Sequence, residues 1–231
     1  ELAPLLGAEV AEPDLARALA GFGDEYEALL VRLAKDHAIG IIGGSHFARS
    51  GDRIVNLCAV VDPTGTVWRQ RKNRLTRYER DVWHLEAGGG LTAMPPELGV
   101  LVCYDSEFPE AARAQAERGS RVLAVPAFTE TRRGFQRVRW CCLARAVENQ
   151  MFVVHASLTG SLGGEPVPQA VGSSAVIAPS TEPFPEAAIL AETGWNQEGL
   201  AIATLDFDAL ELSRMEGSVR PWTERHDGVW V

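Results

Sequence analysis

One cysteine block holds the residues with the clearest chemical potential. Residues 99–110 read GVLVCYDSEFPE. Residues 100–102 form an apolar run long enough for a buried strand, and Pro109 suits the first turn of a helix, where its missing N–H costs nothing. Cys103 therefore stands at a predicted strand-to-helix elbow, with backbone N–H groups directed at the same point. A helix N-terminus or a nearby cation favours the thiolate form of a cysteine, so the block predicts a nucleophilic thiol.

A nucleophilic thiol needs a base, and several side chains are candidates. Neither His46 nor His155 stands in a context that indicates catalysis. Lys72 directly follows a predicted strand, where a lysine favours a thiolate and stabilises an oxyanion. The carboxylate of Glu1 is able to accept the thiol proton and later activate water. Spacing alone does not separate Glu1 from the other acids, and a core thiol at Cys103 or a solvated surface lysine stays open as the ordinary alternative.

Two further pairs of residues lie beside these candidates. Phe128 and Thr129 follow the end of a predicted strand, and we expect them to line a binding pocket, with an ordinary loop as the alternative. Arg145 and Glu148 lie three residues apart on a predicted helix and face the same way. We interpret that pair as structural, fixing the helix near the site, with a solvated ion pair as the alternative.

Composition excludes several classes of function. The chain has 231 residues and a net charge of −9 without a basic run, so it has no electrostatic footprint for nucleic acid. No apolar stretch approaches the roughly 20 residues that span a bilayer. The four cysteines and five histidines show no metal-ligand spacing, and we expect neither a metal nor a cofactor. The cysteine usage favours a reduced, cytoplasmic protein.

Predicted strands and helices, which position these residues, alternate in the middle of the chain. Predicted strands cover residues 38–44, 54–61, 67–71, 100–102, 121–126, 151–156, 174–178 and 200–206. Predicted helices cover residues 14–19, 24–35, 109–117, 135–150 and 208–214. Residues 73–91 form a long loop with about one helical turn, and loops of that length are usually functional. The mixture predicts a layered α/β protein with mixed sheets, in one domain over residues 1–231.

The cysteine block resembles that of the nitrilase superfamily of carbon–nitrogen hydrolases, in its amidase-like branch. The run from Cys103 to Glu110, CYDSEFPE, carries the resemblance most specifically. Arg71-Lys72-Asn73 and the block RAVENQ at residues 145–150 also look like the family. The resemblance implies a four-layer α-β-β-α sandwich with two mixed sheets. It also implies a homodimer or higher homo-oligomer acting on a small molecule, with no nucleic-acid or membrane partner.

The resemblance also implies roles for individual residues. Cys103 would be the nucleophile, and Lys72 with the backbone N–H of Tyr104 would stabilise the tetrahedral intermediate. Glu1 would be the general base and then the general acid, and Glu79 would be the second glutamate, which orients the lysine and the substrate. Tyr104 would contact the substrate together with the two pocket residues after the strand. Because the family's opening strand and helix lie ahead of the matched base, we expect further residues before Glu1.

Glu110 also follows a Phe-Pro pair, but it matches the acid inside the cysteine block. We therefore interpret Glu110 as a helix-start carboxylate.

The expected reaction is hydrolysis of a non-peptide C–N bond in a small amide through a cysteine acyl-enzyme, releasing ammonia or an amine. A nitrile or N-carbamoyl hydrolase is the first alternative. A non-catalytic ligand-binding protein on the same fold is an alternative of a different class.

Overall fold

The structure is a computed structural model that describes residues 12–226. The chain divides into two compact units, Glu1–Pro95 with Gly160–Ala170 and Pro96–Thr159 with Val171–Val231. Within the described residues every helix is either too short or too polar to cross a lipid bilayer. The expectation of a single domain over residues 1–231 stays a prediction.

The first unit contains an antiparallel sheet of three strands, β1 (Ile41–Ser50), β2 (Arg53–Val61) and β3 (Val67–Arg71), in the order β1-β2-β3. Its helices are α1 (Glu12–Leu19), α2 (Gly23–His37) and the short α3 (Arg77–Asp81). Alternate residues of β2 face one side of the sheet, where they pack against Leu30 and Ala34 of α2. β3, from which the loop holding α3 departs, pairs with β2 along its whole length.

The second unit contains a mixed sheet of five strands in the order β4-β5-β6-β7-β8. The strands are β4 (Leu98–Val100), β5 (Val122–Ala127), β6 (Phe152–Ser157), β7 (Ala175–Ile177) and β8 (Ile189–Glu192). The first three run parallel and are joined by α4 (Pro109–Glu117) and α5 (Arg132–Asn149). β7 runs antiparallel to β6, and β8 runs antiparallel to β7. α6 (Phe207–Glu216) packs Leu210 against Phe152 of β6. The predicted α/β class with two sheets is confirmed.

Several strand predictions need correction, and β4, expected over residues 100–102, covers Leu98–Val100. β1 begins at Ile41, after a left-handed Ala38 that ends α2, and runs on to Ser50 because a two-residue hairpin loop pairs it with β2. The predicted strand at residues 200–206 is wrong, because that segment pairs with no neighbour among the described residues. β8 was not predicted, since its four residues do not alternate between apolar and polar.

Candidate active site

Cys103 has a left-handed backbone conformation, which a residue other than glycine adopts only where its surroundings hold it. β4 ends at Val100, and Cys103 opens a short 3₁₀ turn, Cys103–Glu107, with φ +47°. Non-glycine residues with positive φ are uncommon and concentrate at functional sites. The half-buried thiol donates to the carbonyl of Phe128 with an Sγ···O distance of 3.5 Å. The predicted elbow is therefore present, with Pro109 at the start of α4.

The turn that holds Cys103 is fixed by buried polar contacts. The buried Asp105 carboxylate accepts from the Val102 N–H at 3.3 Å. The Ser106 hydroxyl donates to the Cys103 carbonyl at 2.7 Å, and Arg145 Nε donates to the Ser106 carbonyl at 3.0 Å. The guanidinium of Arg145 also pairs with Glu148, so the predicted structural pair is confirmed and its arginine reaches the turn itself.

A second arginine, Arg137, pairs with Glu107 of the turn and interacts electrostatically with Cys103. Arg137 Nε donates to both carboxylate oxygens of Glu107, at 2.7 and 2.8 Å. The hydrogen bond to Glu107 raises the pKa of the Arg137 guanidinium above its usual range, and the charges of Glu107, Cys103 and Tyr104 raise it further. Sequence reasoning missed Arg137 as a neighbour of the thiol, because nothing in its spacing from Cys103 indicates the contact.

The three residues expected to contact substrate lie in the same unit as Cys103. Tyr104 packs its ring edge-on against Phe108, with centroids 5.1 Å apart. Its N–H is among the first donors of the 3₁₀ turn, and no acceptor in residues 12–226 takes that hydrogen. Phe128 presents its carbonyl to the thiol, whereas the Thr129 hydroxyl donates to the Val171 carbonyl at 2.9 Å. The hydrogen bond made by Thr129 fixes the loop. Contact between its side chain and substrate stays a prediction.

Lys72 and Glu79 form a buried ion pair in the first unit. The Lys72 ammonium lies 2.7 Å from each carboxylate oxygen of Glu79, and both side chains are buried. Glu79 also accepts from the side-chain amide of Asn56 at 3.1 Å and from the Thr76 N–H at 2.7 Å. Each carboxylate oxygen thus accepts two hydrogen bonds, which fills its acceptor capacity. Lys72 has three N–H donors and uses two on Glu79; the third has no acceptor in the described part of the chain.

Asn56 and Thr76 are the residues of this cluster that sequence reasoning did not assign to the site. Thr76 and Glu79 form a capping box at the start of α3, and the pattern Thr-x-x-Glu in the sequence was a usable signal for it. Asn56 lies on β2, 23 positions from Glu79, so no local pattern indicates that contact.

The structure describes three of the four remaining candidates, which are Glu110, His155 and His46. Glu1, the expected general base, lies outside the described residues. Glu110 is exposed in the first turn of α4, where its carboxylate faces the positive end of the helix. His155 is buried and accepts from Arg139, and burial, reinforced by that arginine, lowers its pKa to about 3, so the ring is neutral. His46 lies on β1 with Nε2 3.8 Å from Glu27. Residues 12–226 hold no group of three metal-ligating side chains.

The chain is similar to known proteins over most of its length. The family model for carbon-nitrogen hydrolases matches residues 6–215. The chain is 34% identical over 230 residues to "Probable hydrolase YhcX" of Bacillus subtilis, covering 96% of this chain and 44% of the relative. It is 30% identical over 188 residues to the 2-oxoglutaramate amidase of the same species, covering 80% of this chain and 68% of that protein. The chain thus spans less than half the length of the first of these relatives.

Solved structures share the fold. Saccharomyces cerevisiae Nit3, described as a member of branch 10 of the nitrilase superfamily, superposes with a TM-score of 0.72 at 28% identity, over 82% of this chain and 68% of that one. An amidase from Nesterenkonia superposes with a TM-score of 0.68 at 26% identity, over 88% of this chain and 74% of that one. The cysteine elbow, the buried lysine–glutamate pair and these matches lead to one conclusion: this chain belongs to the carbon-nitrogen hydrolase family, within the nitrilase superfamily.

Proposed function

We propose that this protein hydrolyses the C–N bond of a small amide, with Cys103 as the nucleophile. The observation that carries the proposal is the constrained, half-buried thiol at the end of β4, in a chain of this family. The Arg137 guanidinium, which interacts electrostatically with Cys103, supports the thiolate form, as cations near a cysteine do. The names of relatives that are amidases point to the same class of substrate.

In the proposed reaction the thiolate attacks the amide carbonyl carbon and forms a tetrahedral oxyanion. The Tyr104 N–H and the third N–H of Lys72 are the donors that we assign to this charge. A single such donor is worth about 2.7–4 kcal/mol of barrier. The C–N bond then breaks, the nitrogen leaves as ammonia or an amine with one added proton, and a thioester to Cys103 remains.

Water completes the reaction. A carboxylate removes a proton from water, and the hydroxide attacks the thioester carbonyl. The C–S bond then breaks, which returns the Cys103 thiolate and releases the carboxylic acid. We assign this general base, which first protonates the leaving nitrogen, to Glu1. Glu79 is a positioning residue in this proposal, because its oxygens are saturated by Lys72, Asn56 and Thr76 and have no capacity left for a substrate proton.

The nucleophile is tested by substitution across a panel of substrates. Cys103→Ala and Cys103→Ser are compared with the wild-type full chain on small amides, N-carbamoyl amines and nitriles. Turnover is expected to fall below one thousandth of wild type, because the covalent route is lost. Cys141→Ala is the matched control, since Cys141 is also half-buried but lies on α5, and it is expected to keep turnover. Turnover by Cys103→Ala near the wild-type rate would contradict the assignment of Cys103 as the nucleophile. Activity of the wild type on nitriles alone would show that the substrate is a nitrile and not an amide.

We also propose a cytoplasmic homodimer. The four cysteines are all free thiols, as is usual in a reducing compartment. Trp140 and Val147 on α5 lie seven positions apart, on one face of the helix, and are 63% and 40% exposed. An exposed apolar face of this kind is typical of a protein–protein interface.

A further inference from the structure

The first unit contains a cavity that the proposed reaction does not use. Its volume is about 850 Å³, and it lies between the first turns of α2, the sheet face that α2 covers, and the loop at residues 89–92. Small-molecule sites of proteins have volumes of about 300–1,000 Å³. The cavity is therefore large enough for a small organic ligand.

The side chains that line this cavity are not those assigned to the reaction. Arg69 and Arg71 of β3 line it, whereas Gln70 between them is buried and faces the other side of the sheet. The next residue, Lys72, forms its buried pair with Glu79, and neither of these two residues lines the cavity. A molecule in the cavity thus meets a different set of groups.

The loop that forms one wall of the cavity is held in place by two side chains from the end of β3. Gln70 Nε2 donates to the Gly90 carbonyl at 3.0 Å, and Gln70 Oε1 accepts from the Thr92 N–H at 2.8 Å. Asn73 Oδ1 accepts from the Gly90 N–H, also at 2.8 Å. These hydrogen bonds fix the wall relative to the sheet, so the cavity is preformed.

The first charged pair in the lining is already neutralised. Arg69 Nε donates to both carboxylate oxygens of Glu27, at 2.8 and 2.9 Å. These hydrogen bonds raise the pKa of the Arg69 guanidinium; burial opposes the rise, and the charges of Glu27 and Asp24 add to it. Both acids of the lining therefore face Arg69, and this side of the cavity has no uncompensated positive charge.

The other two arginines of the lining have no acidic partner. Within residues 12–226, neither Arg49 nor Arg71 forms an ion pair. Arg71 Nη2 donates to the hydroxyl of Ser50 at 2.8 Å, which is a neutral partner. Three arginines thus line the cavity against two acids, and its net charge is positive.

The hydrogen bond to Ser50 also places the Arg71 guanidinium. β2 lies between β3 and β1, so the Arg71 side chain crosses β2 to reach the last residue of β1. Ser50 is the chain neighbour of Arg49, so both arginines line the same end of the cavity. The buried side chains of Val55 and Leu57 on β2 form an apolar floor there. A planar guanidinium binds a carboxylate or a phosphate through two parallel hydrogen bonds.

We propose that this cavity is a second binding site, which takes a small organic anion. Its carboxylate or phosphate group binds Arg49 and Arg71, and its apolar part lies on Val55 and Leu57. This site is additional to the proposed amide hydrolysis and does not depend on it. An organic cation of the same size is excluded, because the two guanidinium groups repel it.

Four probes test the chemistry of the site by isothermal titration calorimetry. The full chain carries Cys103→Ala, so that no covalent reaction contributes. Phenyl phosphate and phenylacetate present the two anionic groups on an apolar ring, and at least one is expected to bind with a Kd below about 1 mM. The tighter of the two identifies the anionic group. Inorganic phosphate lacks the ring and should bind about tenfold more weakly than phenyl phosphate. Phenethylamine, which has the ring and a positive charge, should not bind.

Substitutions in the same chain locate the binding. Arg49→Gln and Arg71→Gln are each expected to raise the Kd of the tighter anion about tenfold, the effect of losing a hydrogen bond between charged groups. Both side chains are exposed, so the substitutions should leave the unfolding midpoint unchanged. Arg53→Gln is the matched control, because Arg53 is an exposed arginine of β2 that pairs with Glu86 and does not line the cavity. It should leave the Kd unchanged.

Three results would overturn the proposal. They are no binding of either aromatic anion up to about 5 mM, binding of phenethylamine as tight as that of the anions, and anion binding that survives both Arg49→Gln and Arg71→Gln. Amide hydrolysis by wild type is measured separately. Anion binding that depends on the two arginines in a protein without amidase activity would leave this site standing while the proposed function fails.

Discussion

At the scale of single residues, burial separates the four thiols. Burial raises the pKa of Cys58 and of Cys142 to about 12, and it also raises that of Cys141. A protonated thiol is a poor nucleophile, so burial makes these three thiols less reactive at neutral pH. Cys103 differs from them in its constrained backbone, with φ +47°.

This difference predicts selective alkylation. Native protein treated briefly with iodoacetamide at pH 7 is expected to carry one adduct, on Cys103, as located by peptide mass spectrometry. Cys58 and Cys142 stay unmodified up to pH 9, because their pKa values lie well above that pH. Cys103→Ala is expected to carry no adduct under the same conditions. Adducts spread evenly over the four cysteines would contradict the assignment.

The Lys72–Glu79 pair gives a prediction on stability. Glu79→Gln leaves the Lys72 charge buried without a counter-charge, so the free energy of unfolding should fall by about 3–5 kcal/mol. The measurement is urea denaturation followed by circular dichroism. Glu224→Gln is the matched control, because its ion pair with Arg220 is exposed, and it is expected to change stability by less than about 1 kcal/mol. Equal losses in the free energy of unfolding would show that the buried ion pair stabilises the protein no more than the exposed one.

The sequence was sufficient for some of these residues and not for others. The thiol, the lysine and the second glutamate stand in local patterns that can be recognised. Asn56 bonds to Glu79 from 23 positions away and Arg137 to Glu107 from 30 positions away, and only the tertiary fold brings each of these pairs together. The hydrogen bond from Arg139 to His155, 16 positions away, likewise depends on contacts between separate segments.

At the scale of elements, the helices were predictable and several strands were not. α4 begins and ends where proline and the helix formers predict. A helix satisfies its own backbone, whereas a strand needs a neighbour. Leu200 and Ile202 are 86% and 79% exposed on the segment that was expected to be a strand. Its alternation is typical of a strand, but no described backbone pairs with it.

The capping of α5 gives a prediction at this scale. The Thr131 hydroxyl accepts from the Gly134 N–H at 3.1 Å and satisfies one donor of the first turn. Thr131→Ala should therefore lower the free energy of unfolding by about 1 kcal/mol. Thr131→Ser keeps the oxygen and should restore most of the loss in the same denaturation experiment. A Thr131→Ala variant as stable as wild type would show that this cap does not contribute.

At the scale of the whole molecule, the exposed apolar face of α5 predicts self-association. Trp140→Glu places a charge at the centre of that face, so it should convert the proposed dimer to a monomer in light scattering coupled to gel filtration. Leu29→Glu is the control, since Leu29 is a partly exposed residue of α2 in the other unit, and it should leave the mass unchanged. A monomeric wild type at tens of micromolar would contradict the dimer.

The central claim is a covalent acyl intermediate on one sulfur, and trapping it is the most direct test. Wild-type enzyme is mixed with butyramide, quenched in acid during turnover, and analysed by intact and peptide mass spectrometry. The account predicts one butanoyl group per chain, on the peptide containing Cys103, and none on Cys103→Ala. Turnover without any acyl adduct, or an adduct on another residue, would contradict it.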